Sequence, residues 1–478
     1  MNGTQSVARA LLRVGAGLLT QGQTRWSIPL SSYTPKPTAK TPLLTALARS
    51  ILAGEATSEK IAARCGRTLG RDWRWLRTLA RRYVRRFEHQ VRPRRRDVVR
   101  FLRDDRGFQR AYREYFDELW VAERIAEAQR MQPVAAARDW SVPAIESLGE
   151  LADWLRLDVG ELEWFADLKG LESVRGSARL RHYHYRVLAK NFGAIRLIEV
   201  PKPRLKEIQR RILSEILSQI PPHPAAHGFV KGRSIRTFVA PHVGRRVVLK
   251  MDLQDFFPSL SGARIQAFFR TAGYPEMVAD LLGGICTNAP PPEIWRELGQ
   301  GIDRVQLREA RSLYSRPHLP QGVPTSPALA NGCAYRVDCR LRALARSAGA
   351  EYTRYADDLA FSGGEAFEKC VERFASHAAA VLLEEGFTMN HRKTRIMRQS
   401  VRQRLAGLVA NQHVNVARAD FDRLKAILNN CVRHGPKSQN REAHPSFQEH
   451  LRGRVEYVKM VNPAKGLRLR GMFDQIQW

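Results

Sequence analysis

Tyr355-Ala356-Asp357-Asp358-Leu359-Ala360-Phe361-Ser362 sets two adjacent carboxylates on a tight turn ahead of an apolar strand. Alone, an Asp-Asp pair reads as a solvated hairpin turn, because Asp tolerates turn backbone and bonds its own neighbours. The chain upstream changes that reading. Val247-Val248-Leu249-Lys250-Met251 is a second apolar run, and it too ends in a carboxylate, Asp252. Two strands that deliver acids at their ends form a cradle for hard divalent cations, since Mg²⁺ keeps several waters and takes only a few protein carboxylates. Phosphoryl transfer that uses two cations about 4 Å apart needs such a set.

The 478 residues allow two to four domains, and 44% hydrophobic content is enough to bury a core in most of them. The formal charge of +32 makes a polyanion the first partner to consider. Six cysteines lie scattered without Cys-x-x-Cys pairs, which predicts reduced core thiols rather than a zinc ribbon or a disulfide framework. Arg9 and Arg13 interrupt the opening apolar residues, and nowhere do about 18 apolar residues run together. The expectation is a cytoplasmic protein with no membrane partner.

Residues 1–42 read as an N-terminal segment closed by a Pro/Ser/Thr-rich linker, and residues 43–180 as a basic helical region. There, Arg74, Arg77, Arg81, Arg82, Arg85 and Arg86 recur at helical spacing with Trp73, Trp75 and Tyr83 between them. Nucleic-acid contact and a solvated face are both open for that stretch. From Tyr183 the pattern changes to a hairpin, Tyr185 to Lys190 and Ala194 to Val200 about an Asn191-Phe192-Gly193 turn. A helix follows from about Leu205, and Phe367, Val371, Phe374, Ala378 and Val381 mark another that ends at Gly386. Antiparallel strands backed by helices give an α+β fold, with mainly helical structure beyond Val414.

Met251-Asp252-Leu253-Gln254-Asp255-Phe256-Phe257 and Tyr355-Ala356-Asp357-Asp358 resemble the third and fifth sequence blocks of reverse transcriptases. The other blocks stand in the family's order. Pro201-Lys202-Pro203 through Arg210 resembles the first, His227-Gly228-Phe229 with Gly232-Arg233-Ser234 the second, and Leu319-Pro320-Gln321-Gly322 through Pro327 the fourth. Gly386-Phe387 through Asn390, Lys393 and Thr394 resembles the sixth. The resemblance implies an RNA-directed DNA polymerase shaped as a right hand, with fingers and palm over residues 181–408 and a helical thumb over 409–478; the basic helical N-terminal extension is a departure from the family's smallest members.

By that resemblance Asp252 and Asp357 hold two Mg²⁺ ions, with Mn²⁺ a possible substitute, and Asp358 supports them. Lys393 either donates a proton to departing pyrophosphate or simply binds phosphate. Lys190 and Arg196 are expected to clamp the triphosphate of a dNTP, unless they are exposed strand charges. Leu253, Gln321 and Gly322 are expected against the nucleotide, and Phe257 beneath its sugar as a gate against ribose. Template and primer contacts are implied for His227, Gly228, Arg233, Tyr355, Gly407, Lys425 and Arg433; Arg233 is equally open as an ion-pair residue, and the thumb as an ordinary basic bundle.

The Leu319-Pro320-Gln321-Gly322 run and Asn429-Asn430-Cys431-Val432-Arg433-His434-Gly435 are similar to bacterial retron enzymes. That family copies part of a structured noncoding RNA into branched RNA-linked DNA (msDNA), often beside an effector protein in antiphage defence. Two motifs depart from it. Asn-Ala-x-x-His is here Phe238-Val239-Ala240-Pro241-His242, and Val-Thr-Gly is Leu405-Ala406-Gly407. A free-standing defence, diversity-generating or group II intron-derived reverse transcriptase, or a non-catalytic RNA-binding scaffold, are the other readings.

Overall fold

The computed structural model describes residues 38–88, 93–125, 130–174, 181–189, 195–298 and 302–478. They form two compact units, Met1–Ala128 and Gln129–Trp478.

In the first unit five helices, Lys40–Leu52, Ser58–Thr68, Arg74–Phe87, Arg95–Asp104 and Arg106–Glu114, enclose a core of Leu43, Leu47, Leu76, Leu79, Leu102 and Phe108. Helical periodicity sorts the arginine-rich Arg74–Phe87 into two faces. Leu76, Leu79, Ala80 and Tyr83 point inward, and Arg74, Arg77, Arg81 and Arg85 point to solvent. Trp73 and Tyr83, interleaved with arginine in the sequence, are core side chains. Four of the six cysteines, Cys65, Cys286, Cys333 and Cys431, are buried thiols.

The basic stretch thins out near Gln132, and residues 130–174, which the 43–180 grouping carries with it, belong to the second unit. Their apolar positions decide this: Leu151, Leu155 and Leu162 pack into one core with Val278 and Leu282. The hairpin expected near 185–200 is β1 (Tyr183–Ala189) paired antiparallel with β2 (Ile195–Pro201). Its inward residues Ile195 and Leu197 rest on Trp295 and Tyr314.

The central sheet contains β3 (Val247–Gln254), β4 (Ala350–Tyr355), β5 (Asp358–Gly363), β6 (Thr388–Met389) and β7 (Arg395–Arg398), all antiparallel. Alternation along β3 gives its two faces separate work. Val247, Leu249, Met251 and Leu253 join the helix-backed core, where Phe361 stacks on Tyr352 at 4.8 Å. Val248 and Ala360 face the other way, into a cluster completed by helices Arg418–His434, Phe447–Val461 and Pro463–Phe473. A small sheet, β8 (Arg404–Leu405), β9 (Leu408–Val409) and β10 (Asn415–Val416), leads into those helices.

His242 pins the β4–β5 hairpin from that second face. Its two ring nitrogens lie 2.7 Å from the hydroxyls of Thr353 and Ser362, and the side chain has no exposure. Burial, helped by the nearby Arg245, depresses its pKa to about 3. In the unfolded chain imidazole titrates near ~6.5. The neutral ring's contribution is therefore complete above that value and is lost as pH falls from about 6.5 toward about 3. His242→Gln should flatten the acid-side loss of unfolding free energy by about one proton, ~1.4 kcal/mol per pH unit. Urea titrations at pH 6, 5 and 4 measure it, and identical slopes in both proteins would remove the pinning role.

Candidate active site

The register of β3 against β5 puts Asp252 directly opposite Asp358, with Lys250 opposite Ala360 and Val248 opposite Ser362. One face of the sheet thus carries apolar residues at one end and carboxylates at the other. Lys250 Nζ sits 2.9 Å from an Asp358 oxygen, and Lys393 Nζ 3.0 Å from Asp252 Oδ2. Asp357 lies in the intervening turn, where its carbonyl accepts from the Leu253 amide at 2.9 Å. The Asp252 carbonyl accepts from Asn390 at 2.7 Å, which ties the Lys393 turn to the end of β3.

The turn is held from beneath by a buried ion pair. Arg354, the residue before Tyr355, has no exposure and forks onto Asp338 through Nε at 2.8 Å and Nη2 at 2.7 Å. Tyr352 donates to the same carboxylate at 2.8 Å. The third arm of the guanidinium donates to Asn331 Oδ1 at 3.0 Å and to the Ala356 carbonyl at 3.2 Å. Asn331 in turn donates to the Gly228 carbonyl at 2.9 Å, and Ala356 is left-handed, φ 55°. The second sequence block is thereby docked on the fifth. The His227 amide donates to the Arg354 carbonyl at 2.7 Å, and a Cβ on Gly228 would lie 2.5 Å from the Ala356 nitrogen.

Burial and mutual repulsion among the acids raise the Asp357 pKa, with Asp252 the larger charged contributor and Asp358 the smaller. Asp252 is raised by burial too, against the opposing pull of Lys393. Its Oδ1 is buried without a hydrogen-bond partner. An orphaned carboxylate oxygen among acids that resist ionisation is a donor set suited to a hard divalent cation. Among the described residues the acids are not gathered into a closed three-ligand cage, and lysines pair with two of them.

Phe257 is half-buried with its ring 6.1 Å from that of Phe229, which stands 6.5 Å from Tyr355. Gln321 and Gly322 lie along β2: the Gln321 carbonyl accepts from Glu199 at 2.8 Å, and Gly322 has φ 114°. Arg196 is exposed on β2, while Lys190 lies outside the described residues. Leu253 differs from expectation, since alternation turns its side chain into the core at 2% exposure and leaves only its backbone near the turn. Arg233 is occupied with the Pro224 and Ala226 carbonyls, the latter at 2.9 Å, and so clasps its own loop. His227 bonds Thr237 at 2.9 Å, and burial with Arg233 nearby depresses its pKa to about 4. Gly407 closes the β8–β9 hairpin and lines a cavity of about 330 Å³ with Phe421, Leu424 and Tyr457. Lys425 and Arg433 lie on the helix behind it, Arg433 exposed. Sequence reasoning missed Lys250, Asp338 and Asn331; a lysine inside an apolar strand was a signal for the first.

Paired acids on the open end of a helix-backed antiparallel sheet, met by a basic helical bundle, define a palm-type nucleotidyltransferase. Residues 188–413 match the family model described as reverse transcriptase (RNA-dependent DNA polymerase). The retron Mx65 reverse transcriptase of Myxococcus xanthus is 40% identical over 334 residues, covering 69% of this chain and 72% of that one. The retron Mx162 enzyme of the same organism is 36% identical over 362 residues, covering 73% and 70%. The Escherichia coli retron Ec86 reverse transcriptase is 28% identical over 334 residues, covering 70% and 90%. The chain belongs to the retron reverse transcriptases, RNA-directed DNA polymerases.

Gly228→Ala should push the Asp357 turn aside, because the atom a methyl would meet is backbone. A displacement near 1 Å at a reacting centre costs roughly 10²-fold in rate. Steady-state primer extension checks this; a kcat within threefold of the wild type would show that the turn is not braced there.

Proposed function

We propose that Asp252 and Asp357 hold two divalent cations, Mg²⁺ with Mn²⁺ able to substitute, and that Asp358 supports them while neutralised by Lys250. The register pairing Asp252 with Asp358 on one open face carries this reading. When bound, the cations supply Lewis acidity at the priming hydroxyl and at the leaving pyrophosphate.

The chain's own side chains do the positioning. Lys393 is 55% exposed and touches Asp252 through one oxygen, so it can turn to give a proton to pyrophosphate as it departs. Arg196 and, by the family resemblance, Lys190 clamp the triphosphate of the incoming dNTP. Gln321 and Gly322 line the nucleotide, with glycine allowing close backbone approach. Phe257 bars a ribose 2′-hydroxyl, and Leu253 acts through its backbone. Residues 181–408 serve as fingers and palm. The template passes His227, Gly228, Tyr355 and the loop shaped by Arg233. A thumb over residues 409–478, with Gly407, Lys425 and Arg433, follows the duplex through phosphates and 2′-hydroxyls.

The substrate in this reading is a structured noncoding RNA that serves as template and primer, and the product is branched RNA-linked DNA. An effector protein and a role in antiphage defence complete the proposal, in keeping with the retron relatives.

Cells carrying the wild-type chain with its neighbouring locus should yield RNA-linked DNA with the protein, and the purified enzyme should extend a primed RNA with deoxynucleotides. Asp357→Ala should reduce both to background; extension that survives this change would refute the centre. Phe257→Ala should raise ribonucleotide incorporation by at least an order of magnitude, read as the ratio of kcat/KM for dNTP and NTP. An unchanged ratio would dismiss the gate.

A further inference from the structure

The first unit has a surface that the polymerase chemistry does not use. Over residues 38–125, Lys and Arg outnumber Asp and Glu by two to one. On helix Arg74–Phe87 the outward stripe is Arg74, Arg77, Arg81 and Arg85, at the i, i+3, i+4 spacing of one face and opposite Leu76, Leu79 and Tyr83. Among the described residues only Arg77 of the four has an ion-pair partner, Asp72 at 3.2 Å, and both members of that pair are largely exposed. A helix that needed arginine only for solubility would be expected to interleave acids at i+4; this one carries no acid between Arg74 and Phe87.

What such a face can bind follows from what it lacks. Single-stranded nucleic acid is held by exposed aromatic rings on which bases stack. The aromatic residues beside the arginines are turned to the core: Trp73 is 4% and Tyr83 3% exposed, and Trp75 is half-buried with its ring edge-on to that of Phe108 at 5.9 Å. The stripe therefore presents guanidinium forks alone, the geometry that suits phosphate oxygens. At ~1.5 Å per residue the four arginines extend over about 17 Å of helix axis. Double-stranded DNA presents a phosphate about every 1.7 Å of its axis, and an A-form RNA duplex, with its shorter rise, at least as densely, so several guanidinium groups can reach phosphates together.

We propose that this face docks a base-paired stem of the RNA that the same chain copies, through its phosphodiester backbone and without reading sequence. The choice of RNA rests on the polymerase function above, because the template must be held before any DNA exists. A second contact from one chain to one RNA raises occupancy through effective concentration without tightening the active site itself.

Replacement of Arg74, Arg77, Arg81 and Arg85 by Gln in the full chain tests this, with a short blunt RNA duplex as probe across a salt series. Each lost phosphate contact removes about 0.9 from the slope of log affinity against log salt for B-DNA, and a duplex RNA of at least equal charge density is expected to lose about as much. The variant's slope should be shallower by about three to four, with extension of a short primed RNA at saturating template unchanged. Thermal melting at the wild-type temperature establishes that the variant is folded. An unaltered RNA slope in the folded variant overturns the proposal. So does a slope that changes for a matched DNA duplex alone, or loss of binding to anionic vesicles while RNA binding is kept. A wild-type protein that binds the duplex yet extends no primer would unseat the polymerase mechanism and leave this surface standing.

Discussion

A guanidinium with no exposure, three residues before the first turn aspartate, is the constraint on which the site depends. Burying Arg354 is tolerable because Asp338 and Tyr352 complete its charge and hydrogen bonds on one side and Asn331 on another. Removing one member of such a pair typically costs about 3–5 kcal/mol, because the remaining charge has no water to return to. That cost makes the arrangement all-or-none. The arm left over reaches the Ala356 carbonyl and fixes the turn in a left-handed conformation that alanine would otherwise avoid. Rigidity at the carboxylates is thus derived from a charge that cannot move.

The sheet distributes the remaining tasks by parity. Residues of one phase along β3 join the helix-backed core; those of the other phase run from Val248, under the C-terminal helices, through Lys250 to Asp252. A slip of one residue would exchange the two sets. His242 acts at the same level, because its bonds to Thr353 and Ser362 join β4 to β5 from the second face. The departure from Asn-Ala-x-x-His that separates this chain from the usual retron pattern therefore spares the residue that fastens the hairpin.

Much of this was legible in the sequence. The apolar strands ending in Asp252 and at the Asp357-Asp358 turn were readable because alternation and turn chemistry are local. The hairpin of residues 183–201 was readable for the same reason. The partners of Arg354 were not, since Asp338 lies on a helix surrounded by arginines and looks like a surface charge until the helix is placed against β4. The end of the basic stretch near Gln132 is readable from composition, whereas the place of residues 130–174 in the second unit follows from the packing of Leu151, Leu155 and Leu162. Leu253 was carried to the nucleotide by its motif, and strand parity turned its side chain away.

Charge at the site runs opposite to charge over the chain. The whole molecule carries +32, which draws a polyanion toward it from any direction. At the end of β3 three carboxylates share two lysines, and Asp252 and Asp357 both resist ionisation. A local deficit of positive charge inside a globally basic molecule separates two kinds of ligand. Phosphate chains are attracted everywhere, yet a divalent cation gains most where acids are crowded and one oxygen of Asp252 has no partner. In the function proposed above, the residues that would hold a cation are those whose mutual repulsion, between Asp252 and Asp357, its positive charge would offset.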